Sequence, residues 1–387
     1  MAIGDIGAVI QTYTFDATKG RYPSLVRILD DLHCLAYSGP DDDGWARSIK
    51  ITAAGVISED ASNTLEFEPG NINNCRSDLR PDDVNCICSF HADNAAYLEA
   101  VIVNADGTLS QHATPSALFA AANCFNFDPI HVSGSTLAIA YDKNSGLVYV
   151  ITVGVAANGE VSEAVGQGFQ VHDLLSGFAR IAHVAGNVFI VTYQKADGFG
   201  YARSITITPA GAIAFTASPQ VAFTDQLYSY PHVIKLKDNV FVAVFQSVGE
   251  DGWAAVFEVS NAGVITVPTN NLYEFQAGNC ENPRAARISD EVFGVVYRGT
   301  LDDGFLKTIK CEVNAAAVWT AIGDLEFDVA DITYPIINHR SGNTYIISYS
   351  NSAGLGIMKT IGIETPSLER PHHDPLCSEK QLHRHCP

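Results

Sequence analysis

Hydrophobic residues fall into short, strand-length runs along this chain, and the runs repeat about every 52 residues. β-branched and aromatic residues dominate the runs, and small turn residues separate them. One copy shows the unit as four such runs: Arg284 to Ser289, Val292 to Tyr297, Phe305 to Val313 and Trp319 to Asp328. The pattern therefore predicts a repeated sheet of four antiparallel strands.

An aromatic residue marks the same place in every copy of the unit. The marked positions are Tyr37, Phe90, Tyr141, Tyr193, Phe245, Tyr297 and Tyr349. A single sheet of this length cannot bury its faces alone, so the copies must stack. Seven copies predict an all-β fold, a closed seven-bladed β-propeller with four-stranded blades. Polar and apolar residues alternate only weakly in the strands, as expected when both faces of each sheet are covered.

The two ends of the chain complement each other. The last repeat ends at Ile363 without an outer strand, whereas Ala8 to Asp16 reads like the outer strand of repeat six. We therefore expect the N-terminal strand to pair with the C-terminal blade and close the ring, which would remove exposed strand edges. The predicted domain spans residues 1–363. Residues 364–387 form a tail that is either flexible or, through its histidines and cysteines, a zinc ligand set.

Composition limits the class of function. The chain has 387 residues, a net charge of −20 and 47% hydrophobic residues. This charge argues against binding to nucleic acid or an anionic membrane, because such binding depends on Lys and Arg. No apolar run is long enough for membrane insertion, and the chain as given begins without a secretory signal. Among the nine cysteines, Cys75 and Cys124 fit either an inter-blade disulfide or free thiols.

Two segments carry a resemblance to a known repeat. They are Tyr22 to Ile49, with Gly39-Pro40-Asp41-Asp42-Asp43-Gly44-Trp45, and Arg298 to Ile309, with Asp302-Asp303-Gly304-Phe305. Both segments resemble a repeat found in tandem in archaeal and bacterial surface-type proteins of unknown function. The resemblance covers nearly the whole chain. It implies a propeller and an extracellular or cell-surface role in recognition or scaffolding, but it brings no catalytic residue.

A basic residue or a histidine lies ten residues before each marked aromatic. This basic column consists of Arg27, Arg80, His131, His183, Lys235, Arg287 and His339. If these side chains point to the axis, they gather positive charge in one channel and require an anion to offset their repulsion. We therefore predict a ligand site for a small anion. The alternative is that each side chain bonds loop carbonyls or neighbouring acids and holds its blade in place.

Loops on one predicted face carry the other candidate residues. Acidic loops with a glycine turn are typical either of calcium sites or of simple turns, and the candidate ligands are Asp41, Asp43, Asp251, Asp302 and Asp303. Calcium is the expected cofactor if one is present. Aromatic side chains on this face fit either sugar contact or packing between the blades, and the candidates are Tyr22, Trp45, Tyr230, Trp253, Phe305 and Tyr334.

The sequence thus predicts a noncatalytic binding or structural module that recognises a glycan, a small anion or a protein partner. No catalytic residue is assigned, because the sequence has no nucleophile elbow, zinc-protease helix or nucleotide-binding loop. Two alternatives stay open. One is a carbohydrate-active enzyme, a glycoside hydrolase or polysaccharide lyase working at the channel mouth. The other is a structural protein that self-associates into an array or filament.

Overall fold

Seven antiparallel sheets make up the protein, as the computed structural model shows. It describes residues 2–79, 85–92, 95–111, 117–120, 124–143, 146–156, 158–162, 168–172 and 176–366. The only helical segments among these residues are three short 3₁₀ turns, at Pro40–Asp42, Val248–Glu250 and Thr300–Asp302. No helix in this part of the chain has the length and apolarity to cross a membrane. The prediction of a seven-bladed β-propeller is confirmed.

The strands follow one another blade by blade. The first strand is β1 (Ile6–Asp16). Blade 1 contains β2 (Arg21–Leu29), β3 (Leu32–Ser38), β4 (Gly44–Ile51) and β5 (Ile57–Glu68). Blade 2 contains β6 (Ile72–Leu79), β7 (Asn85–Ala92), β8 (Ala95–Val103), β9 (Leu109–Gln111) and β10 (Ala117–Ala120). Blade 3 contains β11 (Cys124–Ser133), β12 (Thr136–Lys143), β13 (Leu147–Val155), β14 (Val161–Ser162) and β15 (Phe169–His172).

The remaining four blades repeat this order. Blade 4 contains β16 (Ser176–Ala185), β17 (Val188–Lys195), β18 (Phe199–Ile207), β19 (Ile213–Phe215) and β20 (Val221–Leu227). Blade 5 contains β21 (Ser229–Lys237), β22 (Val240–Gln246), β23 (Gly252–Val259), β24 (Ile265–Thr266) and β25 (Leu272–Gln276). Blade 6 contains β26 (Glu281–Arg287), β27 (Val292–Arg298), β28 (Gly304–Val313) and β29 (Ala317–Asp328). Blade 7 contains β30 (Ile332–Ser341), β31 (Thr344–Asn351) and β32 (Gly356–Ile363).

Blade 7 takes its fourth strand from the other end of the chain. β1 pairs antiparallel with β32, and the sheet order is β1, β32, β31, β30. Backbone hydrogen bonds extend the contact beyond the sheet, since Gly4 N donates to Glu364 O and Glu364 N donates to Asp5 O. The expected pairing of the N-terminal strand with the last blade is therefore present. The proposed domain boundary at residue 363 stays a prediction, and residues 367–387, with their histidines and cysteines, lie outside the described residues.

Core packing explains why the strands alternate so weakly. All seven residues of β3 are buried, and in β22 only the last residue is partly exposed. Second strands are covered on both faces because each blade packs against its neighbours, so hydrophobic side chains suit every position. The innermost strands β2, β6, β11, β16, β21, β26 and β30 contact one another in a closed cycle. They therefore surround the axis of the ring.

A phenylalanine on the outer strand fills a hole left by a glycine on the third strand. The Phe67 ring lies so close to Gly44 that a Cβ there would be 2.6 Å from it. The same pairing recurs in four more blades, between Phe223 and Gly200, Phe275 and Gly252, Phe327 and Gly304, and Phe15 and Gly356. In blade 3 two buried valines, Val148 and Val171, occupy the equivalent positions. A large side chain opposite a glycine, or two side chains of intermediate size, fills the same space and keeps the packing dense.

The predicted alternative of a disulfide between Cys75 and Cys124 is wrong. Both residues are buried free cysteines. Cys75 packs in the hydrophobic core between blades 1 and 2, whereas Cys124 packs in the core between blades 2 and 3. The two thiols therefore belong to separate layers of side chains. Cys34, Cys86 and Cys88 are also buried free cysteines.

Candidate functional site

Every inner strand has an irregularity at the same place near its start. The pairing register shifts between Arg21 and Ser24 in blade 1, and a register shift recurs at the equivalent place in the other six blades. In six blades the residue at this bulge has φ between 48° and 56°: Tyr22, Asn126, Phe178, Tyr230, Asn282 and Tyr334. Non-glycine residues pay about 1–2 kcal/mol for a left-handed backbone. Asparagine tolerates it better than tyrosine or phenylalanine.

These six side chains, which we call the mouth ring, meet at one end of the axis. They line a cavity of about 330 Å³ together with neighbouring residues of the inner strands, and all seven blades contribute to its wall. The rings of Tyr22 and Tyr334 are 4.1 Å apart at their centroids, and their hydroxyl oxygens are 3.1 Å apart. The rings of Phe178 and Tyr230 are 5.3 Å apart. Strained backbone at a cavity of this kind is typical of functional sites.

Two arginines lie at the inner side of the mouth ring. Arg180 and Arg284 are only 3% and 7% exposed, and each lines the mouth cavity. Both also line a second axial cavity of about 580 Å³, which six blades surround. The arginines are therefore placed where the two cavities adjoin. Permanent charges this deeply buried require hydrogen bonds or counter-charges.

Backbone carbonyls hold both guanidinium groups. Arg180 donates from Nε to Pro231 O at 2.8 Å, and from Nη1 to Ala179 O at 2.7 Å and Asn126 O at 3.3 Å. Arg284 donates from Nη1 to Pro283 O at 2.8 Å and to Tyr230 O at 3.2 Å. These bonds to carbonyls orient both guanidinium groups at the junction of the two cavities.

Other polar groups near the arginines set the local charge. His232 lines the larger cavity, and its Nδ1 accepts the Ala285 N–H at 3.1 Å, so the proton of the neutral ring is on Nε2. Asp128 also lines this cavity and accepts the Ile181 N–H at 2.7 Å. Burial raises the pKa of the Asp142 carboxyl, which accepts a bond from Asn126 Nδ2, to about 6. The site therefore combines two fixed cations with a carboxylate and a second, weaker acid.

The basic column predicted from the sequence is placed differently from the two arginines. His183 and His339 bond the carbonyls of Gly186 and Gly342 through Nε2, each at 2.9 Å. Arg27 donates to Asp30 O at 2.9 Å, and Arg287 forms an ion pair with Asp290. These partners are three residues further along, in the first hairpin turn. The contacts are those expected if the column holds its blades in place.

The other members of the column add little charge to the axis. Lys235 donates to Val184 O of the neighbouring blade at 2.6 Å. His131 is half-buried in β11, and Arg80 lies outside the described residues. Arg287 and His339 do reach the wall of the larger cavity, although they are exposed and bonded to their own turns. The predicted gathering of seven basic side chains around one centre is not what the described residues show.

The aromatic candidates divide into two groups. Tyr22, Tyr230 and Tyr334 are in the mouth ring. Trp45, Trp253 and Phe305 instead lie half-buried on third strands, directly opposite second-strand aromatics, and they do not line the mouth cavity. Phe305 stacks on Tyr297 with the ring centroids 5.7 Å apart. This second group packs inside its blades.

Carboxylates of the acidic loops form hydrogen bonds and ion pairs within the protein. Asp251 Oδ1 accepts the Gly278 N–H at 2.6 Å, and Asp302 pairs with Arg298 at 2.6 Å. Asp303 is buried beside Glu326, and hydrogen bonding between the two carboxyls raises the pKa of Glu326. Asp41 is exposed and Asp43 half-buried in the first loop. No group of three or more His, Cys, Asp or Glu side chains is arranged to hold a metal within the described ranges. Calcium binding stays a prediction.

Sequence reasoning missed Arg180 and Arg284. They occupy a position that recurs every 52 residues and lies three residues before the basic column in every blade but blade 2, where it lies four before. The residues at this position along the chain are Ser24, Arg76, Asp128, Arg180, His232, Arg284 and Ile336. Because the residue type at this position differs from blade to blade, the sequence does not show that these residues occupy the same place in the fold. The bulge before it determines which residues reach the axis, and no residue type marks the bulge in the sequence. The regular 52-residue spacing of the mouth ring was the available signal.

Comparisons with known proteins support the fold. No family model matches the chain, and the search of curated proteins found no relative. A protein of unknown function from Dyadobacter fermentans is similar in structure, with a TM-score of 0.50 and 13% identity over 92% of this chain and 99% of that one. BBS1N, solved in complex with ARL6DN, has a TM-score of 0.50 and 8% identity over 94% and 98%. A chain of the S. cerevisiae core factor has a TM-score of 0.54 and 9% identity over 96% and 64%. At these identities the similarity shows the fold alone.

Proposed function

We propose that this protein is a noncatalytic binding module that takes a small anionic ligand, free or presented by a glycan or a protein partner, at the axial mouth. The observation that carries the proposal is the position of Arg180 and Arg284, buried and shared by the two axial cavities. An oriented guanidinium in a site of low dielectric binds an anion more strongly than an exposed one does. The resemblance to surface-type repeats supports a place outside the cell or at its surface.

A titration of simple anions tests this proposal. Acetate, phosphate and sulfate are titrated by calorimetry into the full chain and into the Arg180→Gln variant. A hydrogen bond to a charged group is worth about 1.5–3 kcal/mol, so the variant should bind its best anion about 10- to 100-fold more weakly. Arg340→Gln is the matched control, because Arg340 is 4% exposed and bonded to Ile51 O but lines neither axial cavity.

The outcomes separate the alternatives. Equal anion affinity in the wild type and in Arg180→Gln, or no affinity in either, would show that the arginine is purely structural. Retention of an acidic polysaccharide without product supports the module. New reducing ends or unsaturated sugars would instead indicate a glycoside hydrolase or a polysaccharide lyase. Ordered arrays or filaments in electron micrographs of the purified protein would indicate a self-assembling protein.

A further inference from the structure

The mouth ring brings apolar and polar surfaces together at the arginines. Tyr230 is 46% exposed, and it lines the cavity together with the aromatic residues Tyr22, Phe178 and Tyr334. The amide side chains of Asn126 and Asn282 lie between them in the ring order. Aromatic faces next to amides and a guanidinium match a ligand that has an apolar face, hydroxyl groups at its edge and one carboxylate.

Backbone strain indicates that the aromatic side chains serve a purpose. Asparagine is present at this position in blades 3 and 6 and suits the left-handed backbone, whereas tyrosine or phenylalanine holds the same backbone in blades 1, 4, 5 and 7. Strain of this kind persists where the surrounding structure or the function requires it. The half-exposed ring of Tyr230 stabilises little by burial, so contact with a ligand is the better reason for its presence.

We propose that the mouth ring binds the carboxylated sugar ring of a uronic acid, with the carboxylate on Arg180 and Arg284. This inference rests on the proposed function, whose anion site it places beneath the sugar. The apolar face of the pyranose ring packs on the aromatic side chains, and its hydroxyls exchange hydrogen bonds with the tyrosine hydroxyls and the amides. Burial and the bond to Tyr334 raise the pKa of Tyr22, so its hydroxyl stays protonated. A cavity of about 330 Å³ is at the small end of ligand pockets, which suits one sugar ring better than a long chain.

Calorimetry on the full chain tests the inference with four probes. D-glucuronate has the ring and the carboxylate, glucose has only the ring, acetate has only the carboxylate, and benzoate has a flat apolar ring with a carboxylate. Glucuronate should bind at least about tenfold more tightly than each of the other three. The Tyr230→Asn variant should weaken glucuronate about two- to tenfold, the range expected for one lost aromatic contact, and leave acetate unchanged.

Tyr230→Asn is a mild perturbation of the fold, because asparagine already occupies the equivalent position in two blades. Phe199→Asn is the control, since Phe199 is 37% exposed and lines neither axial cavity; it should bind glucuronate as the wild type does. If acetate or benzoate binds as tightly as glucuronate, the inference of a sugar site is wrong, but the proposed anion site remains. If the Tyr230→Asn variant binds glucuronate with unchanged affinity, the inference of a sugar site is also wrong. Absence of binding by every probe would overturn both proposals.

Discussion

Substitutions that change the side-chain size at Phe15 and at Gly356 test whether the N-terminal strand packs against the last blade. The Phe15 ring is fully buried and fills the space that a side chain at Gly356 would need. Blade 3 fills the equivalent space with Val148 and Val171. We therefore expect Phe15→Val and Gly356→Val each to destabilise the protein alone and to compensate each other when combined.

The magnitudes follow from the packing. Phe15→Val leaves part of a ring-sized hole and should cost about 2–3 kcal/mol, between the typical costs of Ile→Val and Phe→Ala. Gly356→Val overpacks the blade and should cost about 1–3 kcal/mol. The double variant should be more stable than the sum of these costs predicts by about 1–3 kcal/mol, since contacting residues couple by this amount.

Urea denaturation of the four proteins measures the coupling. The control combines Gly356→Val with Phe223→Val, because Phe223 packs on Gly200 in another blade and should add independently. Costs of Phe15→Val and Gly356→Val that add within about 0.5 kcal/mol would refute the reasoning. In that case the N-terminal strand would not pack against blade 7 in solution.

Two further predictions concern buried ionisable groups. Because burial raises the pKa of Asp142 to about 6, its charge destabilises the fold above that pH, and the penalty disappears as the pH falls through 6 towards 4. Asp142→Asn should therefore raise the melting temperature at pH 8 but not at pH 4; an equal rise at both would contradict this. Burial also raises the pKa of the Cys280 and Cys311 thiols, to about 12 for Cys311. Ellman's reagent should leave the seven buried cysteines of the described residues unlabelled in the native protein and label them in guanidinium. Rapid native labelling of more than the two cysteines beyond residue 366 would show that the blades open.

The period of the hydrophobic pattern was enough to predict the fold. Aromatic residues such as Tyr297 recur because each blade needs the same buried ring, so spacing alone indicates the number of sheets. The missing outer strand after Ile363 was also visible, since a sheet edge has to be covered. Both features depend on which positions are buried, and the hydrophobic residues of the sequence indicate those positions directly.

The site was less predictable because it depends on backbone geometry. Residue type favours the basic column as the axial set, yet His183 and Arg287 bond to their own turns, although Arg287 also lines the larger axial cavity. Arg180 and Arg284, three residues earlier, reach the axis because a bulge shifts the register just before them. A bulge with tyrosine or phenylalanine in the left-handed region has no residue signature of the kind that glycine gives a tight turn.

The decisive measurement is a crystal structure of the 387-residue chain soaked with D-glucuronate. We expect density for one sugar in the axial mouth, with its carboxylate within hydrogen-bond distance of the Arg180 guanidinium and its ring against Tyr230. Glucuronate bound only on the outer blade faces, with no sugar in the mouth, would show that the mouth ring is not the binding site.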